Sequence, residues 1–297
     1  MSIIKSKVNK NSIFYNLLIL TKPGIIIGNI INVFAGFFLS SKIYSHQFNL
    51  FDLSIVIISI ILIIASGCVF NNIYDRDIDK LMTRTKKRSL IFEQISIKFA
   101  FFYAVILGIL GFYILYYFGN FFSFFAAIIG FLFYTIIYTI FLKRNSIYDI
   151  HIGSISGSMP PLIAYFFISN QIDFEAIMLF IIFSLWQIPH SLAITLYRQN
   201  DYQKANITIS PFKKGVKQTQ KDILFWIILF FIAAIILFKS NFVGLIYLIA
   251  IMAFSLYWIF CYFRSDSNLE QWAKKILFLS IWVIFAFDIS LMVNYLV

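Results

Sequence analysis

Three acidic residues follow a nearly uncharged apolar run at Asn71-Asn72-Ile73-Tyr74-Asp75-Arg76-Asp77-Ile78-Asp79, and a basic run, Arg84-Thr85-Lys86-Lys87-Arg88, comes soon after. If the helix of the apolar run continues through this segment, Asn71, Asp75 and Asp79 recur every four residues and share one face. Two carboxylates one turn apart lie roughly 6 Å from each other along the axis. That spacing suits Mg²⁺, which takes hard oxygen ligands, usually one or two carboxylates, and lets phosphate oxygens and waters complete its shell. Asn71, Asp75 and Asp79 are therefore candidate metal ligands, and Arg84, Lys87 and Arg88 are candidate donors to a polyanion. Two plainer readings stay open: the acids could pair with neighbouring bases in a solvated loop, and the bases could serve only membrane topology. Three acids at the end of a membrane helix are costly without a task.

A second polar segment starts inside another apolar run as Trp186-Gln187-Ile188-Pro189-His190-Ser191 and ends as Tyr197-Arg198-Gln199-Asn200-Asp201-Tyr202-Gln203-Lys204-Ala205-Asn206. Pro189 is expected to kink its helix. His190 then lies about 10 Å inside the helix end. An imidazole at that depth implies a polar cavity, where it could be a packing hydrogen bonder, a proton carrier or a ligand-facing group. Arg198 and Asp201 are one turn apart and could form a surface ion pair; only association with the first segment favours a functional role. Gly153 and Gly157 permit close helix packing, and Pro160-Pro161 should bend the same helix. Asp149 reads as the N-cap of that helix. Asp288, deep in the last apolar run, is expected to be paired near the outer side. His46 and His151 have no partner in view.

The elements that position these residues follow from composition. The 297 residues are 61% hydrophobic and 12% charged, with a mean hydropathy of +0.88. That is too little charge to coat a soluble globule, so an all-α polytopic membrane protein is expected. Apolar runs able to span the roughly 30 Å hydrocarbon core occur at about 24–40, 52–73, 96–118, 121–141, 149–168, 174–197, 222–238, 242–263 and 273–296, which predicts nine helices. Basic residues test this count. They collect at the N-terminus, in the second-to-third, fourth-to-fifth, sixth-to-seventh and eighth-to-ninth loops, while the opposite loops hold Lys42 and Lys239. The positive-inside rule then puts the N-terminus in the cytoplasm and the C-terminus outside. The net charge of +11 is explained by topology, without nucleic acid as a partner. Cys68 and Cys261 lie singly in apolar runs, which removes disulfide scaffolds, zinc knuckles and covalent haem attachment.

The Asn-x-x-x-Asp-x-x-x-Asp core of residues 71–79 resembles the first Asp-rich motif of the UbiA-type intramembrane prenyltransferases. The flanking Asn71-Asn72-x-x-Asp75-Arg76-Asp77-Ile78-Asp79-x-x-Met82-x-Arg84-Thr85 is narrower. With Lys143-Arg144 ahead of Gly153-x-x-x-Gly157-x-x-Pro160-Pro161, with Trp186-Gln187-x-Pro189-His190 ahead of Asp201-Tyr202-Gln203-x-Ala205-Asn206, and with Thr21-Lys22-Pro23, it is similar to the haem O synthase family within that group. The resemblance runs from about Leu20 to the last helix and rests on several separated motifs in order.

The resemblance implies one domain over residues 1–297, with a cytoplasmic tail at 1–20. Its nine helices would surround a central cavity, and cytoplasmic active-site loops at 74–95 and 198–221 would cap a site for Mg²⁺ and diphosphate. It implies transfer of a farnesyl group from farnesyl diphosphate to a vinyl group of haem B, with addition of water giving haem O, in the bacterial plasma (inner) membrane. Lipid and haem–copper terminal oxidase assembly machinery would be the surroundings. Catalytic roles would fall to Asp75, Asp79, His190 and Arg198, with His190 removing a proton from the added water or contacting haem iron. Arg84, Lys87 and Arg88 would bind diphosphate, and Lys143 and Arg144 would meet the haem propionates. Asp201 joins Asn71, Asp75 and Asp79 as a metal candidate; because Arg198 and Asp201 stand where a second DxxxD is usual, a second Mg²⁺ there stays open. Thr208 and Ile209 also replace the Pro and hydrophobic pair expected after Asn206-Ile207. The competing expectations are another UbiA-type enzyme acting on a quinone or chlorophyll precursor, and a cation or proton transporter using Asp75, Asp79 and His190.

Overall fold

The computed structural model describes residues 13–86, 88, 90, 95–264 and 268–296. Lys87, much of the segment 87–94 and the first twelve residues of the tail lie outside them. In lipid every backbone donor must bond within its own segment, so each apolar run winds into helix and polar residues close its ends. A short α1 (Ile13–Leu20) leads into α2 (Pro23–Ile43), which Pro23 opens. In α3 (Leu50–Tyr74) the Asn49 side chain accepts from Phe51 N at 2.9 Å, and a one-turn α4 (Arg76–Asp79) follows. The link between α5 (Ile97–Phe118) and α6 (Phe121–Leu132) is a reciprocal cap, Ser123 N to Asn120 Oδ1 at 3.0 Å and Asn120 N to Ser123 Oγ at 3.1 Å.

The fourth span does not end as an α-helix: Phe133–Leu142 is π-wound. The fifth span is split, as the proline pair predicts, into α7 (Asp149–Gly157) and α8 (Met159–Ser169). The sixth, α9 (Phe174–Tyr197), runs unbroken through Pro189. After the short α10 (Gln199–Lys204) and α11 (Ser210–Lys214) come α12 (Val216–Phe238), α13 (Leu245–Phe263) and α14 (Leu269–Leu296). Among the described residues there are nine spans long and apolar enough to cross a membrane, and no strand. The seventh begins at Val216 where 222 was expected, and the ninth at Leu269 where 273 was expected. Both overhangs are polar helical turns, invisible to an apolar-run criterion; Gly215, with φ 84°, starts the first, and Asn268 Oδ1 accepts from Glu270 N at 2.8 Å at the second.

Packing explains why so apolar a chain forms a defined bundle. Between two helices in lipid there is no hydrophobic drive, so close van der Waals fit and short polar bonds decide. On α5 the buried face is Ala100, Ala104, Gly108, Gly111 and Leu115, while Phe102, Ile109 and Tyr116 point outward to lipid. A Cβ on Gly111 would come within 2.9 Å of the Ser59 carbonyl on α3, and Ser66 Oγ donates to Ala104 O at 2.7 Å. The same device sets the centre, where a Cβ on Gly36 of α2 would run into the Pro161 carbonyl of α8, and the Gln187 amide fills the place of a Gly157 side chain. Asp288 corrects an expectation. It is wholly buried, and neither carboxyl oxygen has a hydrogen-bond partner among the described residues. Its helix carries it inward beside Phe287, which packs on Phe183 and Tyr247, so no outer-side pair forms.

Candidate active site

The helix α3 does stop before the acidic segment is over, yet the four-residue repeat survives. Asp75, with φ −83° and ψ 5°, closes α3 and starts α4. Asp75 N bonds Asn71 O and Asp79 N bonds Asp75 O, both at 2.9 Å. Asn71, Asp75 and Asp79 are therefore all buried on the inner side. Asp77, two residues out of register, faces away. Its exposed carboxylate takes both forks of Arg144, at 2.7 Å each, which holds its pKa below the usual carboxylate range.

Each buried member of the row faces a cation from a different part of the chain. Lys22, in the left-handed region at φ 55°, donates to Asn71 Oδ1. Lys143 pairs with Asp75 Oδ2, and Arg88 with Asp79 Oδ2. Arg88 also donates to Asn72 Oδ1 at 2.9 Å. Burial lowers the Lys22 ammonium to a pKa of about 8; Cys68 opposes this drop, while Arg88 and Lys143 add to it. Asp75 Oδ1 has no hydrogen bond; Arg144 Nη2 stands 4.0 Å from it.

The π-helical stretch is what delivers Lys143. Its N–H bonds Tyr138 O, five residues back, at 2.9 Å, and Thr139 Oγ1 donates to Tyr134 O at 2.8 Å while accepting from Asn71 Nδ2 at 3.0 Å. The wider turn rotates the end of the fourth span toward Asn71, a frequent use of π geometry at functional sites. Tyr134 and Tyr138 stack at 6.1 Å on the same stretch, with Gly67 and Gly153 leaving room for their rings.

The second polar segment does meet the first. Asp201 Oδ1 accepts from Thr83 N at 3.0 Å, and Lys204 Nζ reaches Thr83 Oγ1 at 3.2 Å. Ile78, Met82, Ala205, Ile207 and Ile209 form a small apolar cluster between the loops, and Thr208 N bonds Arg144 O at 3.4 Å. Thr208 and Ile209, the atypical pair, are thus part of the closure. Burial opposes ionisation of Asp201, but hydrogen bonds from Thr83 and the Arg84 amide outweigh it and hold its pKa below the usual range.

Not every candidate converges. Arg84 is exposed, and among the described residues it forms no ion pair with the acidic row. Arg198 lies over the Tyr197 ring at 4.2 Å, and among the described residues no Arg198–Asp201 ion pair forms, because Asp201 is turned to the first loop. Lys143 and Arg144, expected at haem propionates, are engaged by Asp75 and Asp77. His190 Nδ1 bonds Ser280 Oγ at 2.7 Å and its ring stacks on Trp186 at 5.0 Å, whose Nε1 donates to Ser280 O at 2.8 Å. Lys22 and Thr139 had no place in the sequence-based site. For Lys22 the available signal was a lysine directly before the proline that opens a span.

The donor set fits a hard divalent cation. Two carboxylates and an amide oxygen are buried in one row, all three already facing positive charge, and one carboxylate oxygen is left without a hydrogen bond. Among the described residues no group of three His, Cys, Asp or Glu side chains could hold an ion. Asp201 is accordingly spent on Thr83 and does not add a third acid. A site of this kind suits Mg²⁺ with substrate phosphate oxygens completing the shell.

Comparisons with known proteins place the chain in a family. The model of the UbiA prenyltransferase family matches residues 29–282. The chain is 42% identical over 281 residues to "Protoheme IX farnesyltransferase 2" of Pseudomonas fluorescens, covering 93% of each chain. It is 41% identical to "Protoheme IX farnesyltransferase" of Aliivibrio salmonicida, covering 93% of this chain and 95% of that one. In fold it is similar to a digeranylgeranylglyceryl phosphate synthase (TM-score 0.77, 20% identity, 95% and 98% covered). A UbiA homologue from Archaeoglobus fulgidus bound to GPP and Mg²⁺ is also similar (TM-score 0.61, 15% identity, 92% and 98% covered). A family match across most of the chain, joined to near-full-length relatives above 40% identity, makes this protein a member of the UbiA prenyltransferase family.

Proposed function

We propose that this prenyltransferase is a protoheme IX farnesyltransferase, which joins the farnesyl group of farnesyl diphosphate and one water to a vinyl group of haem B, giving haem O and diphosphate. The loop end would face the cytoplasm of a bacterium, in its plasma membrane, and the haem product would pass to the assembly of haem–copper terminal oxidases. The substrates are those named by relatives 41–42% identical over 93% of the chain. The observation that carries the chemistry is the buried Asn71–Asp75–Asp79 row with its unbonded Asp75 oxygen.

Asn71, Asp75 and Asp79 would hold Mg²⁺, which when bound neutralises charge on the diphosphate leaving group. Arg88, Lys22 and Lys143, already at the row, would donate to the phosphate oxygens, with Arg84 and Lys87 at the rim. The C1–O bond of the allylic diphosphate breaks and its electron pair leaves with diphosphate. The apolar bundle keeps water from the farnesyl cation until the π-electrons of the haem vinyl group form the new C–C bond. The cation left on the other vinyl carbon takes water. His190, about 10 Å inside the loop end, is oriented by Ser280 and Trp186 and would accept the proton through its other ring nitrogen. The loops holding Asp201 and Arg198 would close over the diphosphate.

The test is direct: purified full-length protein is incubated with haem B, farnesyl diphosphate and Mg²⁺, and the haem product is weighed. A haem heavier by one farnesyl group and one water is expected. Transfer to 4-hydroxybenzoate, with haem unchanged, would overturn the substrate assignment.

A further inference from the structure

Asp149 does not do what its position in the sequence suggests. The N-cap of α7 is Tyr148, which makes no side-chain capping bond; Asp149 is the first helical residue, and it is buried. Four residues on, on the same face, a Cβ at Gly153 would touch the Tyr138 ring at 3.1 Å. Tyr138 is the residue whose carbonyl holds the Lys143 amide at 2.9 Å. The face of α7 that carries Asp149 is therefore turned to the end of the π-helix, which Lys143 closes five residues before the N-cap of α7. Two buried acids thus flank the end of the π-helix: Asp75, to which Lys143 is ion-paired, and Asp149 at the start of α7.

We propose that Asp149 is a positioning residue for Lys143: it retains the ammonium at the site when Asp75 turns to a divalent metal diphosphate. This rests on the assignment of Asn71, Asp75 and Asp79 as the metal–diphosphate site. Lys143 blocks Asp75 Oδ2 as long as their pair is intact, so a ligand that takes this oxygen as well as the free Oδ1 displaces the ammonium. A displaced ammonium with no acid beside it would be a buried charge short of a partner, which is expensive. Asp149 removes that cost and keeps Lys143 within reach of phosphate oxygens. A buried acid there without Lys143 would instead repel the anion.

The experiment measures binding of inorganic pyrophosphate with Mg²⁺ to the purified full-length protein by calorimetry, with no turnover. Four proteins are compared: wild type, Asp149→Asn, Lys143→Gln and the double variant. With Lys143 present, Asp149→Asn should weaken binding roughly tenfold, the scale of one charge-assisted contact. In the Lys143→Gln background the same change should leave binding unaltered or tighten it. A role confined to helix structure would weaken binding in both backgrounds, and that outcome, or wild-type affinity in Asp149→Asn, overturns the proposal. Asp149→Ser is measured in parallel and replaces Asn in both backgrounds if that variant does not fold. If the wild type itself binds no pyrophosphate with Mg²⁺, the underlying metal–diphosphate assignment has failed instead.

Discussion

Asp75 and Asp173 are acids at helix ends on opposite ends of the bundle, one closing α3 and the other starting α9. Asp173 is surrounded by neutral donors. Its Oδ1 caps Ala176 N at 2.8 Å, and its Oδ2 takes the hydroxyls of Tyr44 and Tyr165, both at 2.5 Å. Gln171 completes the group by donating to Tyr44 Oη. Asp75 has no such set: one oxygen pairs with the flexible ammonium of Lys143 and the other has no hydrogen bond. Fixed neutral donors that fill an acid's acceptors make a clasp between α2, α8 and α9. A cation on a long stem, beside an empty lone pair, makes a charge that can be exchanged for a metal and its phosphate.

The strongest way to break this contrast is at the loop end. Asp75→Asn and Asp79→Asn should each lower turnover about a thousandfold or more, the scale of losing groups that stabilise a leaving anion. Thermal unfolding should show folded protein in the membrane. Near wild-type rates at saturating Mg²⁺ would remove both from the metal site. Between the two ends, His190→Ala should slow product formation about a hundredfold, within the range for loss of a general base, or yield a haem product lighter by one water. An unchanged rate and product mass would take His190 out of the reaction.

At the far end the expected effect is on stability alone. Asp173→Ala loses a helix cap and strands the buried Tyr165 hydroxyl, which should cost roughly 2–3 kcal/mol in denaturant unfolding. Turnover per folded molecule and its Mg²⁺ dependence should be unchanged; a shifted Mg²⁺ dependence would show that Asp173 is not a purely structural acid. Asp201→Asn tests the loop closure and should speed hydrogen exchange at the Thr83 amide with a smaller loss of turnover. Since the Asp201 carboxyl is held below its unfolded pKa, its contribution is present at neutral pH and is lost as pH falls through that lowered value. The smallest effect belongs to Asp77→Ala, since an exposed pair such as Asp77–Arg144 contributes about 0–1 kcal/mol. Unfolding and turnover should both stay near wild type, which would separate Asp77 from the buried acids on either side of it.

Much of the candidate site is legible in the sequence. The repeat of Asn71, Asp75 and Asp79 placed them on one face, and they share it even though α3 ends between them. The convergence of Asp201 with the first loop was expected on the ground that polar loops gather, and the Thr83 contact supplies it. What the roles of Lys143, Arg144 and Asp149 lacked was any local sign of their partners. Phe133–Leu142 has the composition of an ordinary membrane helix, so its π winding, and with it the aim of Lys143, could not be anticipated.

The sequence by itself determined the nine spans found among the described residues and the register of the acidic row, because hydrophobic length and the backbone hydrogen-bond period act within a few residues. Only the tertiary structure decided which distant partner stands at each member of the row and at the second loop. Lys22 meets Asn71 across 49 positions, Lys143 meets Asp75 across 68, and Asp201 meets Thr83 across 118. Such contacts depend on how whole helices pack, at glycines that let backbones touch and at a turn of altered pitch, and no local pattern of residue types carries that information.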